Sequence, residues 1–443
     1  MTDRNKASAT RRTSAEIRAG HKKHLFGAVA NFYKEPTVLV EGHGTTLTDL
    51  DGNDYLDFFG GILTVSLGHS NEEINQAVIA QIGRLTHVST LYPTVPIVEL
   101  AEKLSRVTPG ALDKCFFTAS GTEADETAVM MAQVYTGNQE LVALRYGYSG
   151  RSLLAQSLTA HSSYRAVPTQ VAAIKHAPAP YCYRCPFKLE YPSCGVACAK
   201  DLDELIQTTT TGRIAGMLVE PIQGVGGFVT PPKEYFKIAQ EIVKKYGGVF
   251  IADEVQTGFG RTGKMWGIEQ YDVEPDMMTM AKGIANGFPL GALVATTPIA
   301  DSLKKGSIST FGGNPVSCTA AGKVLEIIER DNLTANAEAM GAILRAGLEA
   351  IQKKHPRIIG DVRGMGLMQA IELVKNEEAG DRTPNPEATV ALFEATKERG
   401  LLIGKGGLHG NIVRIAPALN IGEDQIKDGL RILEESFAAM EQA

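Results

Sequence analysis

From about residue 115 to 300 the chain alternates short apolar runs with segments of helical periodicity. The runs are 114–118 (K-C-F-F-T), 141–144 (L-V-A-L), 216–220 (G-M-L-V-E), 249–253 (V-F-I-A-D) and 293–295 (L-V-A). Strands separated by helix-length segments need crossover connections, so this alternation predicts an α/β fold with a mostly parallel sheet under covering helices. In such sheets ligands sit beyond the carboxyl ends of the strands. Glu220 and Asp253 both fall at such ends. With 443 residues, 44% of them hydrophobic, the chain is long enough for one large core and a smaller second one.

The flanks read differently. Ser14 is placed to cap a helix over 14–30, and 37–59 reads as short strands with turn signals at Gly42 and Asp51-Gly52. Residues 70–107 carry helical patterns broken near 92–96. Beyond 325 come a long helix, strand candidates at 364–373, 401–403 and 412–415, and a final helix with Ile426, Leu430, Leu433 and Phe437 on one face. The expected division is 1–75 as an N-terminal segment joining a small α+β domain, 76–325 as a large domain, and 326–443 as the small domain.

Bulk properties exclude several roles. A net charge of −6 and no long basic run beyond residue 30 argue against nucleic acid, and no apolar stretch reaches the ~18 residues of a membrane span. The basic, Ser/Thr-rich start (Arg4, Lys6, Arg11, Arg12) fits a transit peptide or a solvated tail; we read it as a tail and expect a cytoplasmic protein. Cys182, Cys185, Cys194 and Cys198 form C-x2-C-x8-C-x3-C, a spacing open to a thiolate metal site, local disulfides or reduced thiols in an ordered loop. We expect reduced thiols and no metal. An interaction or metal-binding protein built on this loop is the non-catalytic alternative.

The chemistry-bearing residues lie around the sheet. Lys282, in T-M-A-K-G-I-A-N-G (279–287), follows a short apolar run, and Asp253 ends another. An amine that can form a Schiff base and a carboxylate that can hold a pyridinium nitrogen protonated are what pyridoxal phosphate requires. Ser120, Gly121 and Thr122 open a helix directly after a strand, which makes either an anion site or a plain cap. Tyr148 can stack on a planar ring, and Arg151 can take a carboxylate or be an ordinary surface residue. Arg414 lies inside an apolar strand and needs a partner; Glu220 is the candidate, as a fixed ion pair or as a switch that releases Arg414 to a substrate.

These segments occur in a fixed order: D-L-D-G-N-D-Y-L-D-F (49–58), then S-G-T-E (120–123), then F-I-A-D-E-V-Q-T-G-F-G-R-T-G (250–263), Lys282, and T-F-G-G-N-P (310–315). Together they resemble the class III (omega-amino-acid) aminotransferases among the fold-type I pyridoxal phosphate enzymes, across nearly the whole chain. The resemblance implies a large domain with a mostly parallel seven-stranded sheet and a smaller α+β domain. It implies Lys282 as the cofactor-bearing lysine, Asp253 at the ring nitrogen, Gln256 at the ring hydroxyl and Tyr148 on the ring face. It further implies Ser120, Gly121 and Thr122 at the phosphate, joined by Thr310 from a second subunit, and Glu220, Arg414 and Arg151 at substrate carboxylates. The implied protein is a homodimer or higher homo-oligomer. Its implied reaction moves an amino group from an omega-amino acid or amine, such as 4-aminobutyrate, to 2-oxoglutarate, pyruvate or glyoxylate. A racemase, aminomutase or decarboxylase of the same family is the alternative. Two features depart from the family pattern: Ser149 stands where the family has histidine, and the cysteine loop is not general to it.

Overall fold

The computed structural model describes residues 12–168 and 171–442. Arg4, Lys6 and Arg11 lie outside them. Its centre is a seven-stranded sheet made from β1 (Leu112–Thr118), β2 (Leu141–Leu144), β3 (Ile174–Ala177), β4 (Gly216–Val219), β5 (Val249–Asp253), β6 (Met277–Met280) and β7 (Gly291–Thr296). The spatial order is β1-β7-β6-β5-β4-β2-β3. Only β7 runs antiparallel to its neighbours. The expected mostly parallel sheet is present. β2, β4, β5 and β6 are buried along their entire length, because helices cover both faces and leave no polar side to alternate.

One of those helices, α1 (Gly121–Thr136), follows β1 and packs across β4 to β7. Its inward stripe is Asp125, Ala128, Val129 and Ala132. Small residues let it approach the sheet closely, and the acid among them is out of place for packing alone.

Two further sheets flank this core. Leu39–His43, Thr46–Asp49 and Asp54–Asp57 form an antiparallel meander, to which Leu401–Leu402 from the far end of the chain adds in parallel. Ile359–Met365 and Met368–Asn376 form a hairpin that continues through Ile412–Ile415 and Gly404–Gly406. Several boundaries differ from the sequence reading. The first helix is Ser14–His24, and Thr13, not Ser14, caps it by accepting from Glu16 N–H. The long helix expected beyond 325 is Leu333–Lys354, entered through Asn332 in a left-handed conformation and preceded by a second helix, Pro315–Arg330.

The segment after β5 is fastened from below. Trp266 is fully buried, its ring edge-on to Phe259 at 4.9 Å, and its Nε1 donates to Val107 O at 2.6 Å. Trp266→Ala removes that packing and strands the carbonyl. It is expected to cost about 3–5 kcal/mol, read as a lower urea midpoint of the first unfolding transition.

Candidate active site

The carboxyl ends of β4, β5 and β6 and the start of α1 open onto a cavity of about 330 Å³. Its wall includes Ser120, Gly121, Thr122, Tyr148, Glu220, Asp253, Gln256 and Lys282, so eight of the residues singled out from sequence meet in one place.

Local structure explains each position. β5 ends at Asp253, and the next residue, Glu254, turns the opposite way into the protein. There it accepts from Gly267 N–H at 2.9 Å, Ile268 N–H at 2.7 Å and the Thr257 hydroxyl. That anchor fixes the strand end and leaves Asp253, 4% exposed, facing the cavity, with Oδ1 accepting from Val255 N–H at 3.0 Å. Burial pushes the Asp253 carboxyl up to about 6. Lys282 follows β6 at φ +47°, a strained left-handed conformation for a lysine, and lines the same cavity as Asp253. Burial lowers its ammonium pKa, against the opposing pull of Asp253 and Glu220.

At the α1 start, Ser120 caps the helix by accepting from Glu123 N–H. The first-turn N–H groups of Gly121 and Thr122 have no helical acceptor and point along the positive end of the helix dipole. The cap and the anion site are therefore the same structure rather than alternatives. Gln256 reaches the cavity past Gly224: a Cβ on Gly224 would lie 2.1 Å from Gln256 Nε2. Gln256 Oε1 is buried without a partner. Tyr148 lines the wall, edge-on to Tyr164 at 5.2 Å.

A free amine, a facing carboxylate, open helix N–H groups and an unpartnered carboxamide oxygen make a donor set that fits pyridoxal phosphate. The phosphate matches the N–H groups, the ring nitrogen matches Asp253, and the aldehyde matches Lys282.

Two expected features are not brought together here. Glu220 and Arg414 form no ion pair. Glu220 instead accepts from Tyr148 N–H at 3.0 Å and Gly224 N–H at 2.7 Å, and burial together with the charge of Asp253 pushes it up to about 8. Arg414, 4% exposed, donates from Nε to Lys405 O at 2.9 Å and from Nη1 to Gly224 O at 3.3 Å, beneath the rings of Phe59 and Phe228. Backbone carbonyls and aromatic faces thus do what the sequence reading assigned to a carboxylate. Arg151 is exposed and outside the cavity wall; Thr310, expected to reach the phosphate of a second subunit, lies exposed in the loop before Pro315–Arg330.

Sequence reasoning missed Asp125, Thr64 and Phe288 in the wall. For Asp125 a signal existed: an acid in the apolar stripe of α1.

The four loop cysteines line one separate pocket of about 20 Å³. All six cysteines are free, and among the described residues no group of three or more His, Cys, Asp or Glu is placed to hold a metal ion. The loop is tied down by other means. Tyr181 and Arg184 hydrogen-bond the buried Glu372, which also takes Arg363 Nη1 at 2.7 Å. No helix among the described residues is long and apolar enough to cross a membrane.

Comparison with known proteins gives concordant results. The sequence model of the family described as "Aminotransferase class-III" matches residues 29–437. The chain is 44% identical over 425 residues to alanine–glyoxylate aminotransferase 2 homolog 2, mitochondrial, of Arabidopsis thaliana, covering 96% of this chain and 87% of that one. It is 36% identical over 426 residues to the leucine/methionine racemase of Thermococcus litoralis, covering 94% of each. Among solved structures, a Bacillus anthracis aminotransferase superposes with a TM-score of 0.90 at 32% identity, covering 96% of this chain and 98% of that one.

Proposed function

This chain belongs to the class-III aminotransferase family, and from that premise we propose how its residues divide the work and which acceptor it prefers. It is a pyridoxal phosphate-dependent enzyme that moves an amino group from an amine or omega-amino acid to a 2-oxo acid. When bound, the cofactor supplies an aldehyde that takes up the amino group and a ring that withdraws the electron pair.

The chain's own residues do the rest. Gly121 and Thr122 N–H groups hold the phosphate at the start of α1. Asp253 faces the ring nitrogen and keeps it protonated. Lys282 Nζ holds the cofactor before the donor arrives. With the cofactor bound, the same Nζ would be the group placed to take up a proton and give it back during transfer. Burial lowers its pKa, so a larger fraction is the free base that this task needs. Tyr148 covers one ring face, and Gln256 meets the ring oxygen.

One observation carries the substrate reading: among the described residues the buried guanidinium of Arg414 has no acidic partner and donates to backbone carbonyls. Glu220 is engaged by two backbone N–H groups, and burial beside Asp253 raises its carboxyl and weakens its hold on a cation. Arg414 is therefore free to take the carboxylate of a 2-oxo acid, its Nη2 making no hydrogen bond among the described residues. The second arginine, Arg151, is exposed and outside the cavity wall. We therefore favour a small monocarboxylic acceptor, glyoxylate or pyruvate, over 2-oxoglutarate. The Arabidopsis relative's name supports the same choice.

Arg414→Ala is expected to slow the half-reaction with glyoxylate by about 100-fold while leaving the half-reaction with a simple amine within a few-fold. Equal loss in both would make Arg414 purely structural. Faster reaction with 2-oxoglutarate than with glyoxylate or pyruvate in the wild type would reverse the acceptor assignment.

We also propose a homodimer. The segments around 85–97 and 308–313 touch through His87 and Phe311. They expose Leu91, Tyr92, Val95, Ile308 and Phe311, apolar surface that a second copy would cover beside Thr310. A cytoplasmic location likewise remains our proposal.

A further inference from the structure

Asp125 is an acid in the cavity wall to which the reaction above gives no task. It sits on the inward face of α1, 1% exposed, with the Asp253 carboxyl and the Thr279 side chain as its neighbours. Thr279 lies beside Asp253 in the sheet, on β6. Glu220 beyond β4 and Lys282 after β6 are the other charged groups facing it. Among the described residues Asp125 Oδ1 has no hydrogen-bond donor.

That arrangement is not stable with both acids ionised. Two carboxylates repel, and neither can donate to the other. An oxygen buried without a donor adds a desolvation cost. A single proton between them removes both problems. Its place follows from the surroundings. Asp253 already accepts from Val255 N–H, feels Lys282, and opens onto the cavity where a cationic ring nitrogen binds. Asp125 has the Thr279 side chain and Lys282 as favourable neighbours but, among the described residues, no backbone N–H donor. Burial, and then the charge of Asp253, raise its carboxyl well above the usual range.

We propose that Asp125 is a positioning residue: its carboxyl keeps a proton and donates it to Asp253, so that the pair carries one negative charge, held on Asp253 and aimed at the ring nitrogen of the cofactor. The proposal rests on the cofactor site assigned above and adds a residue to it. Its consequence is that one buried anion meets one ring cation. A second ionised acid would leave an excess negative charge in a dry site, and without Asp125 the carboxylate of Asp253 would lose the donor that orients it.

The test compares Asp125→Asn with Asp125→Ala in the cofactor-loaded protein. The asparagine keeps size, neutrality and an N–H donor. The alanine removes the donor. At pH 7.5, the infrared difference between wild type and Asp125→Asn is expected to show loss of one protonated-carboxyl band. This readout also works on cofactor-free protein and separates Asp125 from the raised acids Glu220 and Glu254. Asp125→Asn is expected to release cofactor within about twofold of the wild-type rate and to leave the pH titration of the cofactor absorbance unmoved. Asp125→Ala is expected to release cofactor about tenfold faster and to shift that titration.

Absence of the lost band, or an Asp125→Asn shift as large as that of Asp125→Ala, overturns the proposal. If Asp125→Ala does not fold, the infrared band and the asparagine variant decide alone. A wild-type protein that takes up no cofactor would refute the assigned cofactor site while leaving the proton on Asp125 measurable.

Discussion

Lys282→Ala is expected to lower turnover by about 10⁴-fold, roughly 5 kcal/mol of barrier, while the protein folds normally and still holds pyridoxal phosphate without a covalent link. The size of the loss follows from two tasks falling on one amine: holding the cofactor and carrying the proton. The retained binding follows from groups that Lys282 does not supply, namely the Gly121 and Thr122 N–H groups, Asp253 and the wall at Tyr148. The variant should therefore keep cofactor through dialysis but lose it on addition of phosphate, whereas the wild type should resist. Added methylamine should restore part of the rate in the variant. Turnover near wild type would remove Lys282 from the reaction.

The second large effect is at Asp253. Asp253→Asn keeps the shape of the strand end, and its Oδ1 can still accept from Val255 N–H, but the negative charge is gone. Loss of that charge is expected to cost about 10³-fold in turnover, the scale of one preorganised electrostatic group at a reacting centre. A pH signature goes with it. In the wild type, burial sets the Asp253 pKa near 6, so cofactor affinity should weaken as pH falls through about 6, where the carboxylate takes a proton. In Asp253→Asn no such group titrates, and that acid limb should flatten. A variant that keeps both the rate and the acid limb would place the ring nitrogen elsewhere.

Much of this was legible in the sequence, for definite physical reasons. β2 and β5 were found at their true limits, because strands buried on both faces read as unbroken apolar runs ended by a polar residue. β3 was not found. As an edge strand it carries Lys175 and His176, half-buried, and so shows neither an apolar run nor clean alternation. The hairpin at 359–376 was read as one strand starting at 364, since its tight turn near Gly366 is flanked by apolar residues on both sides.

The site divides in the same way. Lys282, Asp253 and the α1 start lie next to strands that sequence periodicity locates, and they converge. The partner of Arg414 was misjudged because backbone carbonyls are invisible to residue-type reasoning: any sequence offers them, and only the fold says where they point. Burial beside Asp253 raises the Glu220 carboxyl, an effect that residue type alone does not show. The cysteine spacing suggested metal chemistry, but the loop is held instead by Glu372 with Tyr181 and Arg184, which come together only through contacts about 190 residues apart.

The most direct test of amino transfer by this site is a single-turnover absorbance titration of the cofactor-loaded protein with L-alanine, beta-alanine, 4-aminobutyrate and 1-phenylethylamine, with no acceptor present. The account predicts stoichiometric conversion of the cofactor from its aldehyde to its amine form by at least one donor, reversed on adding glyoxylate or pyruvate. Persistence of the aldehyde form with every donor, while L-alanine loses optical activity without any acceptor, would contradict it and make the protein a racemase.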